Sequence, residues 1–181
     1  EGSVTIAVSG DDAAGNSGAD SGSMDLDFTG PTFTSIAATP DPAKSGDTLS
    51  ITFTASETLD ANPTVTVDGN SAAYLMVSGL DYTYLYTVAG TESEGSVTIA
   101  VSGDDVAGNA GSSNGNVTLD YTGPGFTSIA ASPDPAKATD TLSVTFTASE
   151  TLGAVPTVTV DGNAASYVSV AGLDYTYAYT V

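Results

Sequence analysis

The chain has 181 residues, with 22 acidic side chains against two basic ones, Lys44 and Lys137, giving a formal net charge of −20. Charged residues make up 13% of the chain, and ordinary domains carry about 25%, so the missing base is more unusual than the acid present. That balance excludes a basic nucleic-acid footprint and docking on anionic lipid, and the absence of His and Cys excludes Cys/His zinc sites, a Ser-His-Asp triad and a thiol nucleophile.

No apolar run approaches the length of a membrane span, and no signal peptide is visible. Along the chain the pattern is β throughout. Runs of four to eight residues alternate apolar and polar, as half-buried strands do. Residues 1–29 carry two strands separated by the turn around Asp11–Asn16. Seven strands follow, lettered A 33–38, B 48–57, C 63–68, D 72–77, E 82–89, F 95–103 and G 115–121. Residues 123–181 then repeat A to E. Turn signals lie between the runs: Thr39–Pro42, Asp68-Gly69-Asn70, Ser78-Gly79, Gly103–Asp105 and Gly108-Asn109. The Asp-Gly pair between C and D predicts a two-residue hairpin turn with positive φ. Tyr82, Tyr84 and Tyr86 share one strand face, repeated at 175, 177 and 179. Such a ladder serves either as cross-strand packing or as a sugar-stacking face.

The strongest signal is internal repetition. Glu1–Gly10 recurs unchanged as Glu94–Gly103, and Pro63–Asn70 recurs unchanged at 156–163. Thr48–Glu57 returns as Thr141–Glu150 with Val144 in place of Ile51. Aligning 1–88 on 94–181 gives 66 identities in 88 positions, or 75%, at a constant offset of 93 with no gap. A period of 93 is a whole domain, not a small solenoid unit. Seven short strands per period predict an all-β chain of tandem immunoglobulin-like sandwiches. Without the Cys…Trp…Cys pin, each core rests on aliphatic and Tyr packing. The frame reads as strands F–G of a preceding or partner domain over 1–29, a complete domain over 30–122, and strands A–E of a following domain over 123–181.

Ser96-Val-Thr-Ile-Ala-Val-Ser-Gly-Asp-Asp-Val-Ala-Gly-Asn109 resembles the end of a bacterial Ig-like repeat, which often closes with alternating Val/Thr and then Asp-x-Ala-Gly-Asn. Asp105–Asn109 and Asp12–Asn16 both fit, and Ser50–Glu57 is similar to the same family. The resemblance covers the whole period. It implies long tandem arrays in secreted adhesins and surface fibres, some of which bind Ca²⁺ near domain junctions.

Two acidic groups are candidate Ca²⁺ ligands, because hard cations take several carboxylate and carbonyl oxygens. One is the F–G turn of each copy, Asp11, Asp12 and Asn16, then Asp104, Asp105 and Asn109. The other lies toward the domain junction: Asp25, Asp27, Asp41 and Asp47, then Asp120, Asp134 and Asp140, with Thr118 where the first copy has Asp25. In the alternative reading, the F–G acids cap a turn in which Gly15 takes positive φ, and the others are solvated turn acids. Lys44 and Lys137 would form local salt bridges beside them. Glu57 and Glu150 end strand B, but no second carboxylate stands at a recognisable sequence relation to make a glycosidase pair.

These features point to a non-enzymatic, extracellular or cell-surface repeat that builds a rod, stalk or filament, with identical neighbouring domains or subunits as partners. No nucleic acid, membrane insertion or required cofactor is expected, Ca²⁺ apart. Two arrangements remain open: a long continuous array, or a subunit that polymerises head to tail, its F–G hairpin completing the next molecule's open sandwich. The alternative function is an adhesin repeat that binds a glycan or host protein directly.

Overall fold

A computed structural model describes all residues, 1–181, as strands, turns and loops with no helix. The chain divides into two compact units, Glu1–Tyr121 and Thr122–Val181. The first unit opens with an antiparallel hairpin, β1 (Gly2–Asp11) and β2 (Ser17–Leu26), paired from Gly2↔Leu26 to Asp11↔Ser17. Eight strands follow: β3 (Phe33–Thr39), β4 (Thr48–Ala55), β5 (Thr64–Val67), β6 (Asn70–Ser71), β7 (Ala73–Ser78), β8 (Asp81–Thr87), β9 (Gly95–Asp104) and β10 (Ala110–Leu119). They form two antiparallel sheets, β3-β4-β8-β7 and β10-β9-β5-β6. In sandwich lettering these are A-B-E-D and G-F-C-C′, an Ig-like β-sandwich.

Alternation in the sequence sets the inner faces. Leu49, Ile51 and Phe53 from β4 and Tyr82, Tyr84 and Tyr86 from β8 meet Val65 and Val67 from β5, Val97, Ile99 and Val101 from β9, and Val117 and Leu119 from β10. The Tyr ladder is therefore core packing. Phe53 stacks on Tyr82 with centroids 5.4 Å apart and meets Phe33 edge-on at 5.7 Å. These aromatic contacts pack strands A, B and E of one sheet on its inner face. Tyr84 donates its hydroxyl hydrogen bond to the Pro63 carbonyl, joining the two sheets.

The Asp68-Gly69 turn forms as the sequence predicts, with φ of 48° and 80°, between Val67 and Asn70. It creates the short β6, which the strand reading had merged into a loop. Strand G also begins earlier than its apolar run, at Ala110. Its first half pairs with β9, from Ala110↔Asp104 to Asn114↔Ala100, and passes close to Pro31 and β3. A Cβ on Gly111 would lie 1.8 Å from the Pro31 carbonyl oxygen, and one on Gly115 would lie 2.6 Å from Ile36 Cγ2. Only glycine permits that approach. The A–B connection closes the same edge: Ala43 N–H donates to Thr118 O and Asp120 N–H donates to Ala43 O, both at 2.9 Å.

The second unit comprises β11 (Phe126–Ser132), β12 (Thr141–Ala148), β13 (Thr159–Val160), β14 (Asn163–Ala164), β15 (Ser166–Ala171) and β16 (Asp174–Thr180). Its sheet, β11-β12-β16-β15, repeats the A-B-E-D sheet residue for residue. Phe33↔Ala55 becomes Phe126↔Ala148, and Leu49↔Tyr86 becomes Leu142↔Tyr179. The bulge at Thr34/Ala37 recurs at Thr127/Ala130. The Phe53–Tyr82 stack recurs as Phe146–Tyr175 at 5.3 Å.

Candidate metal centre

The F–G turn is built by its own side chains. Asp105 accepts hydrogen bonds from Asn109 N–H at 2.8 Å and Asn109 Nδ2 at 2.9 Å, while Gly108 takes φ 88°. Asp12, Asn16 and Gly15 build the same turn in the hairpin. The two copies differ in surroundings. Asp12 is exposed, whereas Asp105 is almost fully buried. The B–C connection covers Asp105: Leu59 bridges to it, and Asp60 N–H donates to Asp104 O at 3.0 Å.

That contact brings Glu57, two residues beyond β4, to the turn. The linker after β2 supplies a third acid. Asn109 Nδ2 donates to the Asp27 carbonyl at 3.2 Å, and the Asp27 carboxylate accepts from Thr29 N–H at 3.1 Å. Thr32 and Ser56 tie the linker to the end of β4, through Ser56 N–H to Thr32 O and Thr32 N–H to Ser56 Oγ. Carboxylate oxygens of Asp27, Glu57 and Asp105 consequently lie within 4.8 Å of one another. Glu1 stands nearby, where it accepts from Thr29 Oγ1 at 2.9 Å.

The charges differ in character. Burial raises the Glu57 pKa, and the negative Asp27, Asp105 and Glu1 raise it further. Burial also pushes Asp105 upward, but the hydrogen bonds from Asn109, Ala107 and Gly108 outweigh it and leave the pKa lowered. The set therefore holds a fixed anion beside a carboxyl that retains its proton more readily than usual. Three carboxylates from three segments are a donor set suited to a hard divalent cation, with water or carbonyls completing its shell.

The other sequence-predicted acids do not join this group. Asp11 accepts from Ser17 Oγ at 2.6 Å. Asp41 accepts from Thr118 N–H at 2.9 Å and so caps the end of β10. Asp47 and Asp140 accept from the backbone N–H groups of Lys44 and Lys137, not from their ammonium groups. Asp104 contributes its carbonyl to Asp60. Asp25 sits in β2 opposite Ser3, Asp120 follows β10, and Asp134 lies in the exposed A–B connection of the second unit. Glu57 is the member that spacing alone did not connect. Its recurrence as Glu150 was a visible signal, but its neighbours are 30 and 48 residues away in sequence.

A second acid escaped the sequence reading altogether. Glu92, in the E–F connection, is buried and accepts from three backbone N–H groups: Ala89 at 2.9 Å, Gly90 at 2.8 Å and Thr91 at 2.9 Å. It also accepts from the hydroxyls of Tyr86 and Tyr121. Burial pushes its pKa up, but these donors win and hold it down at about 2. This site is fully satisfied and structural, a buried anion neutralised without any basic residue.

No protein-family profile and no curated protein matches the chain. Among solved structures, it is similar to one described as a Ca²⁺-stabilized adhesin that helps an Antarctic bacterium reach out and bind ice. The identity is 18% and the TM-score 0.41, with 99% of this chain and 49% of that chain covered, so this chain spans about half of that structure's length. No helix in the chain is long and apolar enough to cross a membrane.

Proposed function

We propose that the chain is part of an extracellular, non-enzymatic array of Ig-like modules that acts as a spacer, stalk or filament. The observation that carries this reading is the duplicated sheet: β11-β12-β16-β15 reproduces β3-β4-β8-β7 in strand order, register and bulges at an offset of 93. A module repeated so closely favours a regular architecture over a series of divergent binders. Imaging the native assembly tests it. A string of evenly spaced globules is expected, and isolated globules would sink the reading.

We further propose Ca²⁺ as the cation for Asp27, Glu57 and Asp105, where it would offset the burial and the like charges that raise the Glu57 pKa. It would join the linker after β2 to the B–C and F–G connections, fixing the entry to the sandwich. The alternative, an adhesin repeat that binds glycans or host proteins through an aromatic platform, loses support because Tyr82, Tyr84 and Tyr86 are buried. Strong saturable binding to one glycan on an array would favour that alternative.

A further inference from the structure

We infer that β7 is an association edge: it pairs antiparallel with β7 of a second copy and continues the A-B-E-D sheet from one chain into the next. The inference rests on a single sandwich and not on the array reading. That sandwich guards its other sheet edges. β3 and β10 lie against each other, at the close approaches of Gly111 to Pro31 and Gly115 to Ile36. β6 is an edge of only two residues. β7 is six residues long, and no strand pairs with its outer side. All six residues are exposed, among them Tyr74, Leu75, Met76 and Val77.

Edges that must stay unpaired usually carry charge or proline. β7 carries neither. In a chain with 22 acids, no charged residue occurs from Gly69 to Leu80, nor from their counterparts Gly162 to Leu173. An uncharged edge offers nothing to a basic or an acidic partner, and its apolar side chains suit an edge like itself.

The bulge in β7 decides the partner. A bulge commonly spoils edge pairing, but this one makes the strand complementary to itself. It lies between Tyr74 and Met76 and leaves Leu75 as the extra residue. Tyr74 sits opposite Tyr84 and Val77 opposite Tyr82, both core tyrosines, so the two face inward although they are three residues apart. Tyr74 meets Tyr84 edge-on, with centroids 5.6 Å apart. Ala73, opposite Leu85, and Ser78, opposite Asp81, face outward although they are five residues apart. In an unbulged strand the members of each pair would lie on opposite faces. When Leu75 stands opposite Met76 of a second β7, Tyr74 falls opposite Val77 and Ala73 opposite Ser78. Each pair then shares a face, as an antiparallel ladder requires. A two-fold axis between the strands makes each of these pairs occur twice. β15 keeps the same device, with its bulge between Tyr167 and Ser169 and the Tyr167–Tyr177 contact at 5.6 Å. One strand pair is smaller than the ~1,200 Å² of a stable interface, so the association is weak. The net charge of −20 opposes it at low salt.

The test uses the full chain. Sedimentation across a concentration series should show the mass rising from 17.9 kDa, more so at higher salt. Leu75→Glu with Val168→Glu changes two exposed residues. It should leave the circular dichroism and the denaturant midpoint unchanged and hold the chain at 17.9 kDa. In this Cys-free chain, Ala73→Cys with Ser78→Cys places thiols at an opposed pair, and oxidation should trap a discrete covalent dimer. Ala73→Cys with Val77→Cys places them on opposite faces and should leave the chain monomeric under the same oxidation. A parent that stays at 17.9 kDa at every concentration and salt, a Glu variant that associates like the parent, or equal cross-linking of the two Cys pairs would each overturn the pairing. None of these results touches the array reading, which fails only on images of the native assembly.

Discussion

Asn109 Nδ2 donates to the backbone carbonyl of Asp27 at 3.2 Å, across 82 residues of sequence. The same side chain holds the Asp105 carboxylate at 2.9 Å. One amide thus shapes the F–G turn and fastens the linker to it. Its counterpart Asn16 makes the local bond to Asp12 in an exposed turn. Asn109→Ala should lower stability by about 1–3 kcal/mol, since it leaves partly buried acceptors short of donors. Asn16→Ala should change stability by about 0.5 kcal/mol or less. Denaturant midpoints of the two variants check the contrast, and equal effects would contradict the joining role of Asn109.

Ca²⁺ should raise the thermal midpoint, and EDTA at constant ionic strength should reverse the rise. Ligand present at about 100 times its Kd adds about 2.7 kcal/mol. Glu57→Gln should shrink that increment. A carboxyl whose pKa is raised in the folded state stabilises at low pH, and that contribution is lost as pH rises through its folded pKa. Glu57 is such a group. Near neutral pH, without metal, Glu57→Gln should therefore melt higher than the parent. If Ca²⁺ moves neither midpoint, the three acids are a solvating coat.

Glu92 has the opposite sign. Its pKa falls from 4.5 to about 2 on folding. Its stabilisation is complete above 4.5 and disappears as pH falls toward 2. Gln at this position would turn an amide group toward backbone N–H donors and lose the charge-assisted bonds. Glu92→Gln should melt well below the parent at pH 7, with the gap closing between 4.5 and about 2. A gap independent of pH would mean that shape, not charge, holds the E–F connection.

Alkaline titration should split the nine tyrosines. Burial raises Tyr84 to about 12, with help from the charges of Tyr82 and Tyr74, and burial and the Glu92 contact raise Tyr121 to about 12. Tyr86 is raised further, by burial and then by Glu92. The folded state favours the neutral phenols, so stability is full below the unfolded value of about 10 and is lost as pH climbs beyond it. Difference absorbance should show a late phase that coincides with loss of the β signal. A single reversible step near 10 would count against these buried hydroxyls.

Strand identity was legible because period-2 alternation at Leu49, Ile51 and Phe53 leaves little choice of face, and Asp68-Gly69 fixes its own turn. The F–G turn was legible for the same local reason. The cluster of Asp27, Glu57 and Asp105 was not. It depends on the linker, the B–C connection and the F–G turn meeting in three dimensions, and no spacing rule records that. Asp41 and Asp47 illustrate the converse: acids grouped in sequence that the fold spends on Thr118 and Lys44 amides. Glu92 lies in Ala89–Ser93, which has no second copy for comparison, so repetition could not mark it. The early start of β10 was hidden because Ala110–Gly115 pairs with β9 without an apolar run of its own, its glycines at 111 and 115 permitting the close approach to Pro31 and Ile36.

The two lysines sit at equivalent points of the A–B connection, exposed and 93 residues apart. No other bond in the chain suits trypsin. A protease that cuts after lysine would therefore release Ser45–Lys137 as a single fragment one period long, carrying parts of both compact units. In an array of such modules, partial digestion would give a ladder with even steps of that mass, and counting the rungs would measure the length of the array.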